Sequence, residues 1–256
     1  MPLITADDYI TRRADGFDHS AQFRVEAATV TTAVITRTVP LLCQRMGIIY
    51  KAPSSMPTGV TKINPVAAQM ASSTSGMFML ARLTNLGSVD ISTNTFTAGS
   101  VMPTRTEGNT SRQIFSGILL ETITGLNALP GTLVVTYKDN NGNAAEASAS
   151  FTLTISSIAG SMQFMLPNAG DLGAVEVTNM VRSGGTTPTG VVGCWGVECL
   201  DLINSVGNSQ LEISNMLTSF PFMTPLGVND EVVLLRVGGS TTNAAIGSLS
   251  LIGESA

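Results

Sequence analysis

The stretch Asp139-Asn140-Asn141-Gly142-Asn143 stands between two runs in which apolar and polar residues alternate, and that arrangement commits the chain there to a β-hairpin. Asn-Gly tolerates the positive φ that tight hairpin turns demand, and the period of two on either side is that of a half-buried strand. Leu133, Val135 and Tyr137 fall on one face of the first strand, with Val134, Thr136 and Lys138 on the other. Beyond the turn, Phe151, Leu153 and Ile155 alternate with Ser150, Thr152 and Thr154, which gives the second strand an apolar face and a threonine face. Similar short runs recur at 77–83, 89–96, 114–122, 162–166, 174–181, 191–200, 231–237 and 246–252, with turn residues between them. Many short strands at this spacing predict a mainly β chain, an antiparallel β-sandwich or jelly roll.

The N-terminal fifth reads differently. Residues 1–51 hold six of the 13 basic and five of the 18 acidic residues. Thr5-Ala6-Asp7-Asp8 has the form of a capping box and predicts a short helix that stops before Gly16. Residues 22–42 are rich in Val and Thr, which favours strand, and a helix over 26–36 stays open. Ala52-Pro53-Ser54-Ser55 and Ser72-Ser73-Thr74-Ser75 mark 52–76 as a connection, interrupted by a short helix at 66–70. A second short helix is expected within 205–219. The expected division is thus a helical or extended arm at 1–51, a connection at 52–76 and a β-sandwich domain at 77–256, built either as one unit or as two related sheets or halves.

Composition excludes several classes of function. Charged residues make up 12% of the chain, about half the usual share. A net charge of −5 and the absence of any basic run argue against nucleic acid as a partner, because phosphate binding accumulates Lys and Arg contacts. No apolar stretch approaches the ~20 residues that a bilayer-spanning helix needs, and the N-terminus lacks the basic start and apolar core of a secretory signal. Synthesis in the cytoplasm and no membrane association are expected. Cys43, Cys194 and Cys199 are too few and too scattered for a disulfide framework and read as buried small apolar residues.

Catalytic motifs are scarce. The single histidine, His19, has no partner at a spacing that chemistry requires, and no Gly-x-Ser-x-Gly elbow is present. Asp171 with Glu176, or Glu198 with Asp201, could serve as the paired carboxylates of a glycan hydrolase. The 139–143 turn fails the spacing of a calcium loop, and Gly184-Gly185 lacks the lysine of a phosphate cradle. Asn109-Thr110-Ser111 matches a glycosylation acceptor, of consequence only in a secreted protein. Trp195 between Gly193 and Gly196 reads as a core or subunit-contact anchor. No catalytic, cofactor-binding or metal residue is assigned, and no enzyme activity is expected.

Residues 115–200 carry a phrase of turn, Pro130-Gly131-Thr132, alternating strand and Asn141-Gly142, followed by Ile158-Ala159-Gly160-Ser161-Met162 and Asn168-Ala169-Gly170-Asp171. In this the chain resembles tailed-bacteriophage virion structural proteins. The resemblance implies a β-rich building block of the neck or collar, tail or capsid surface, located in the virion and synthesised in the host cytoplasm. Its expected partners are itself, as a ring or trimer, and other virion proteins. Two other classes stand beside it: a β-sandwich adhesin that recognises a receptor or glycan through its loops, and the carboxylate-based glycan hydrolase.

Overall fold

The computed structural model describes residues 18–25, 42–52, 55, 58, 60, 62–72, 75–102, 104–107, 110–113, 117–126, 131–139, 141–147, 151–152, 159–165, 167–168, 171, 173–184, 189–206, 211–215, 226, 230–237 and 245–254. Their regular structure is entirely β. The strands are β1 (Asp18–Val25), β2 (Leu42–Lys51), β3 (Lys62–Ser72), β4 (Ser75–Asp90), β5 (Thr95–Ala98), β6 (Thr104–Glu107), β7 (Thr110–Gln113), β8 (Gly117–Thr124) and β9 (Thr132–Asp139). There follow β10 (Glu146–Ala147), β11 (Phe151–Thr152), β12 (Ser161–Met165), β13 (Ala174–Ser183), β14 (Val191–Val206), β15 (Leu211–Asn215), β16 (Glu231–Val237) and β17 (Ala245–Glu254). A seven-stranded sheet runs β14-β8-β12-β2-β16-β4-β5, with a further pairing of β14 and β4.

The chain divides into two compact units with interleaved boundaries: Met1–Thr29, Met46–Arg82 and Cys199–Ala256 form one, and Val30–Arg45 with Leu83–Glu198 the other. β2, β4 and β14 each carry residues of both.

In the first unit, the sheet β1-β17-β3-β15 is antiparallel, with Asp18 opposite Ile252 and Leu211 opposite Ala71. Its inward residues Ala68, Met70, Ala245, Leu249 and Leu251 share a core with Phe78 and Leu80 of β4, Val232 and Leu234 of β16, and Leu200 and Ile203 of β14. Burying each of the larger side chains stabilises the fold by about 1.5–3 kcal/mol. β16 is buried on both faces.

The second unit is the sandwich expected from the alternation. Leu133, Val135 and Tyr137 of β9 and Val177 and Met180 of β13 pack against Ile118 and Leu120 of β8, Met165 of β12, and Val192 and Cys194 of β14. β13 takes one edge of β9; β10 and β11 take successive stretches of the other, Glu146 opposite Tyr137 and Phe151 opposite Leu133. The register slips by one residue between those two stretches. β6 and β7 form a separate two-stranded hairpin.

Several expectations are corrected. The helix placed at 66–70 is part of β3, because pairing to β17 on one side and β15 on the other outweighs the local preference of Ala67-Ala68-Gln69. Pro65 is accommodated where the β17 ladder shifts register, between its partner Leu251 and Ser250, a position that needs no regular ladder donor. The expected helix within 205–219 gives way to the end of β14 and to β15. The runs 77–83 and 89–96 are divided differently: β4 continues unbroken to Asp90, and a turn at 91–94 precedes β5. Asp90 sets that turn by accepting the Ser92 amide at 2.8 Å and its hydroxyl at 2.6 Å. The compact units do not follow the 1–51, 52–76 and 77–256 division, since β1 and β2 pair with strands distant in sequence and the connection contains β3. The capping box at 5–8, the run at 26–36 and the alternation at 153–155 lie outside the described residues.

Candidate functional site

Polar side chains gather at the Asp139 end of β9, where strand alternation brings Tyr137 and Asp139 to the buried side. The hairpin expected at 139–143 is present, but of Asn141-Gly142 only the glycine takes a positive φ. Asp139 organises the loop: its Oδ1 accepts the amides of Asn141 at 2.9 Å and Asn143 at 2.7 Å, and its Oδ2 accepts the side-chain amide of Asn143 at 2.9 Å. The Asp139 amide donates to the Asn143 carbonyl at 3.1 Å. Gly142 supplies the left-handed step, φ 88°, and Ala145 a second, φ 66°, whereas Asn141 is not left-handed. Burial raises the Asp139 pKa, but the hydrogen bonds from Asn143 and Asn141 together outweigh it and leave the carboxyl below its ordinary value. Amide donors occupy the carboxylate that a calcium loop would turn toward its ion.

Tyr137 is fully buried, and its hydroxyl donates to Asp171 Oδ2 at 2.6 Å while accepting the Asn168 amide at 2.7 Å. Burial first, then the bond to Asp171, pushes its pKa up to about 12. The Asn168 side-chain amide donates to the Ala147 carbonyl at 2.7 Å. Tyr137 and Asn168 thereby hold the turn after β12 against both strands of the hairpin.

This geometry separates the first carboxylate pair. Asp171 is engaged by Tyr137, whereas Glu176 stands across from Lys138, on the face of β9 opposite to Tyr137. Cross-strand opposition of unlike charges is a stabilising arrangement in its own right. Of the second pair, Glu198 belongs to one unit and Asp201 to the other. Asp201 is buried, its Oδ1 accepts the Leu202 amide at 2.8 Å, and its Oδ2 has no hydrogen-bond partner among the described residues.

A second cluster lies on the β2-β12-β8-β14 stretch of the large sheet. Register aligns Cys43, Met162, Glu121 and Gly193 in one row. Arg45 grips Glu121 through two bonds, Nε to Oε1 at 2.9 Å and Nη2 to Oε2 at 2.8 Å, and its guanidinium lies 4.9 Å from the centre of the Trp195 ring. Gly193 makes this possible: a Cβ there would come within 2.7 Å of Ile123 Cδ1 and 3.2 Å of Trp195 Nε1. Trp195 is a half-buried anchor whose Nε1 has no partner among the described residues. No run of sequence foretold the Arg45–Glu121 pair, since its partners are 76 residues apart and only the sheet order joins them.

Cys43 and Cys194 are buried, as expected, and Cys199 is half-buried. Burial, reinforced by the Glu121 charge, pushes the Cys43 thiol up to about 12, and burial raises Cys194 as well. His19 sits on β1 opposite Leu251. Asn109 lies outside the described residues. Among the described residues, no group of three or more His, Cys, Asp or Glu could hold a metal, and no helix is long and apolar enough to cross a membrane.

No protein-family model and no curated protein matches the chain. Among solved structures, the infectious bursal disease virus VP2 subviral particle is similar at 10% identity and a TM-score of 0.20, over 93% of this chain and 81% of that one. The infectious bursal disease virus Gx strain structure is similar at 12% identity and a TM-score of 0.18, over the same shares. Scores this low carry no argument about fold or function.

Proposed function

We propose that the chain is a structural subunit of a phage particle, assembling as a homo-oligomer at the neck or collar, tail or capsid surface and turning over no substrate. One observation carries the reading. In a chain with only 12% charged residues, the first unit exposes Ile48, Met77 and Leu202 by about half, each on a strand and each next to a core residue. Large apolar side chains on strands and a weakly charged surface suit subunit packing, since little charge has to be desolvated. The phage assignment rests on the resemblance of residues 115–200.

Light scattering across a salt series tests this. Oligomers that persist from low to high salt are expected, because apolar contacts are hardly screened. Replacing Ile48, Met77 and Leu202 with serine is expected to shift the population toward monomer without changing the far-ultraviolet spectrum. A monomer at every salt and protein concentration would count against assembly. Hydrolysis of a bacterial polysaccharide, lost on Asp171→Asn, would replace the structural reading with an enzymatic one.

A further inference from the structure

We propose that Asn141-Gly142 is a site of spontaneous covalent modification, at which loss of ammonia and uptake of water convert Asn141 to aspartate or isoaspartate and unlock the Asp139 loop. Three observations place it there. This is the one Asn-Gly in the sequence, both residues are exposed, and a Cβ built on Gly142 would meet nothing within 4 Å. A glycine with open space around it lets its amide swing toward the preceding side chain.

The chemistry needs only water. The Gly142 backbone nitrogen bonds to Asn141 Cγ, the Cγ–Nδ2 bond breaks, and Nδ2 leaves as ammonia carrying the Gly142 amide proton. Water then opens the five-membered imide. Cleavage between nitrogen and Cγ gives aspartate, and cleavage between nitrogen and the main-chain carbonyl gives isoaspartate. No electron transfer is involved.

The loop is built so that this change is felt. Asn141 Nδ2 faces Asp139 Oδ2 at 3.4 Å, and that carboxyl is held below its ordinary pKa, hence charged at neutral pH. Conversion replaces a donor with a second carboxylate facing the first, a like-charge contact. Isoaspartate also lengthens the main chain between the Asn141 and Asn143 amides, both of which grip Asp139 Oδ1. The Gly142 amide itself donates to the Asp139 carbonyl at 3.3 Å, so opening of the loop gates the reaction.

The test is incubation of the full chain, folded, in mildly alkaline buffer, followed by peptide mapping. The expected result is that the peptide containing 139–143 gains the mass of an amide-to-acid exchange as two isomers, before any other asparagine changes. Asn141→Gln and Asn141→Ser, which keep Gly142, should abolish it, and Asn141→Asp should melt at lower temperature than the parent. A peptide that stays unmodified while other asparagines convert would overturn the site. An Asn141→Asp variant that melts with the parent would overturn the unlocking.

Discussion

Removal of Arg45 or Glu121 should be felt strongly, because both are largely buried, with 14% and 8% of their side-chain surface exposed. Arg45→Met takes both guanidinium bonds from the buried Glu121 carboxylate and is expected to cost about 3 kcal/mol, while Arg45→Met with Glu121→Leu should recover most of it. Denaturant unfolding followed by the fluorescence of Trp195, the one tryptophan, measures both. The thiols give a second check at this scale. At neutral pH a thiol reagent should label Cys199 on the native protein, and Cys43 and Cys194 only after unfolding. Tyr137 gives a third. Its folded pKa lies above its ordinary 10, so its contribution to stability is fully present below that pH and fades as pH rises toward about 12. A phenolate absorbance titration should show that late component, and Asp171→Asn should bring it to lower pH. Asp139 and Asp90 have the opposite sign: both carboxyls sit below their ordinary value, so what they contribute is present above that value and lost as pH falls from it through the lowered folded one.

The β9–β10 hairpin shows what an element owes to its sequence. Gly142→Val should destabilise the protein by about 1–2 kcal/mol, since φ 88° is strained for a branched residue although space around it is open. Calorimetry would register the loss. The strand β9 could be read from alternation, and β8, β12, β13, β16 and β17 from short apolar runs between turn residues, because these patterns are local. The Asp139 loop could be read only as a turn, because its width depends on which donors reach one carboxylate. β3 inside an apparent connection was hidden for another reason: Lys62–Ser72 is a strand through neighbours 140 to 148 and 173 to 192 residues away. Both polar clusters were likewise unreadable, since each is assembled across strands. The edge of β13 away from β9 shows a further device. It is bulged twice, and Asn94, itself at φ 60°, occupies it by donating to the Arg182 carbonyl at 2.9 Å and accepting its amide at 2.8 Å. A blocked, bulged edge resists pairing with a stray strand.

At the scale of the whole chain, the two units have separate cores but cannot be cut apart at one linker, because β2, β4 and β14 each contribute to both. Limited proteolysis is therefore expected to release neither unit as a stable fragment, and differential scanning calorimetry to show one transition. Truncation should discriminate between strands. Loss of 1–25 removes the edge strand β1, whereas loss of 1–51 also takes β2 from the middle of the large sheet and should leave insoluble chain. The pairing of β1 with β17 bears on how such a molecule comes into being. Asp18 meets Ile252, so β1 has to wait until a partner strand more than 200 residues further along the chain has been made. During that interval β3, on the far side of β17, is without that partner as well. Folding of this sheet is thus a late event dominated by long-range loop closure, slow by the standard of small domains, and the growing chain spends the delay with open strand edges that a chaperone can hold and that a second nascent copy can capture.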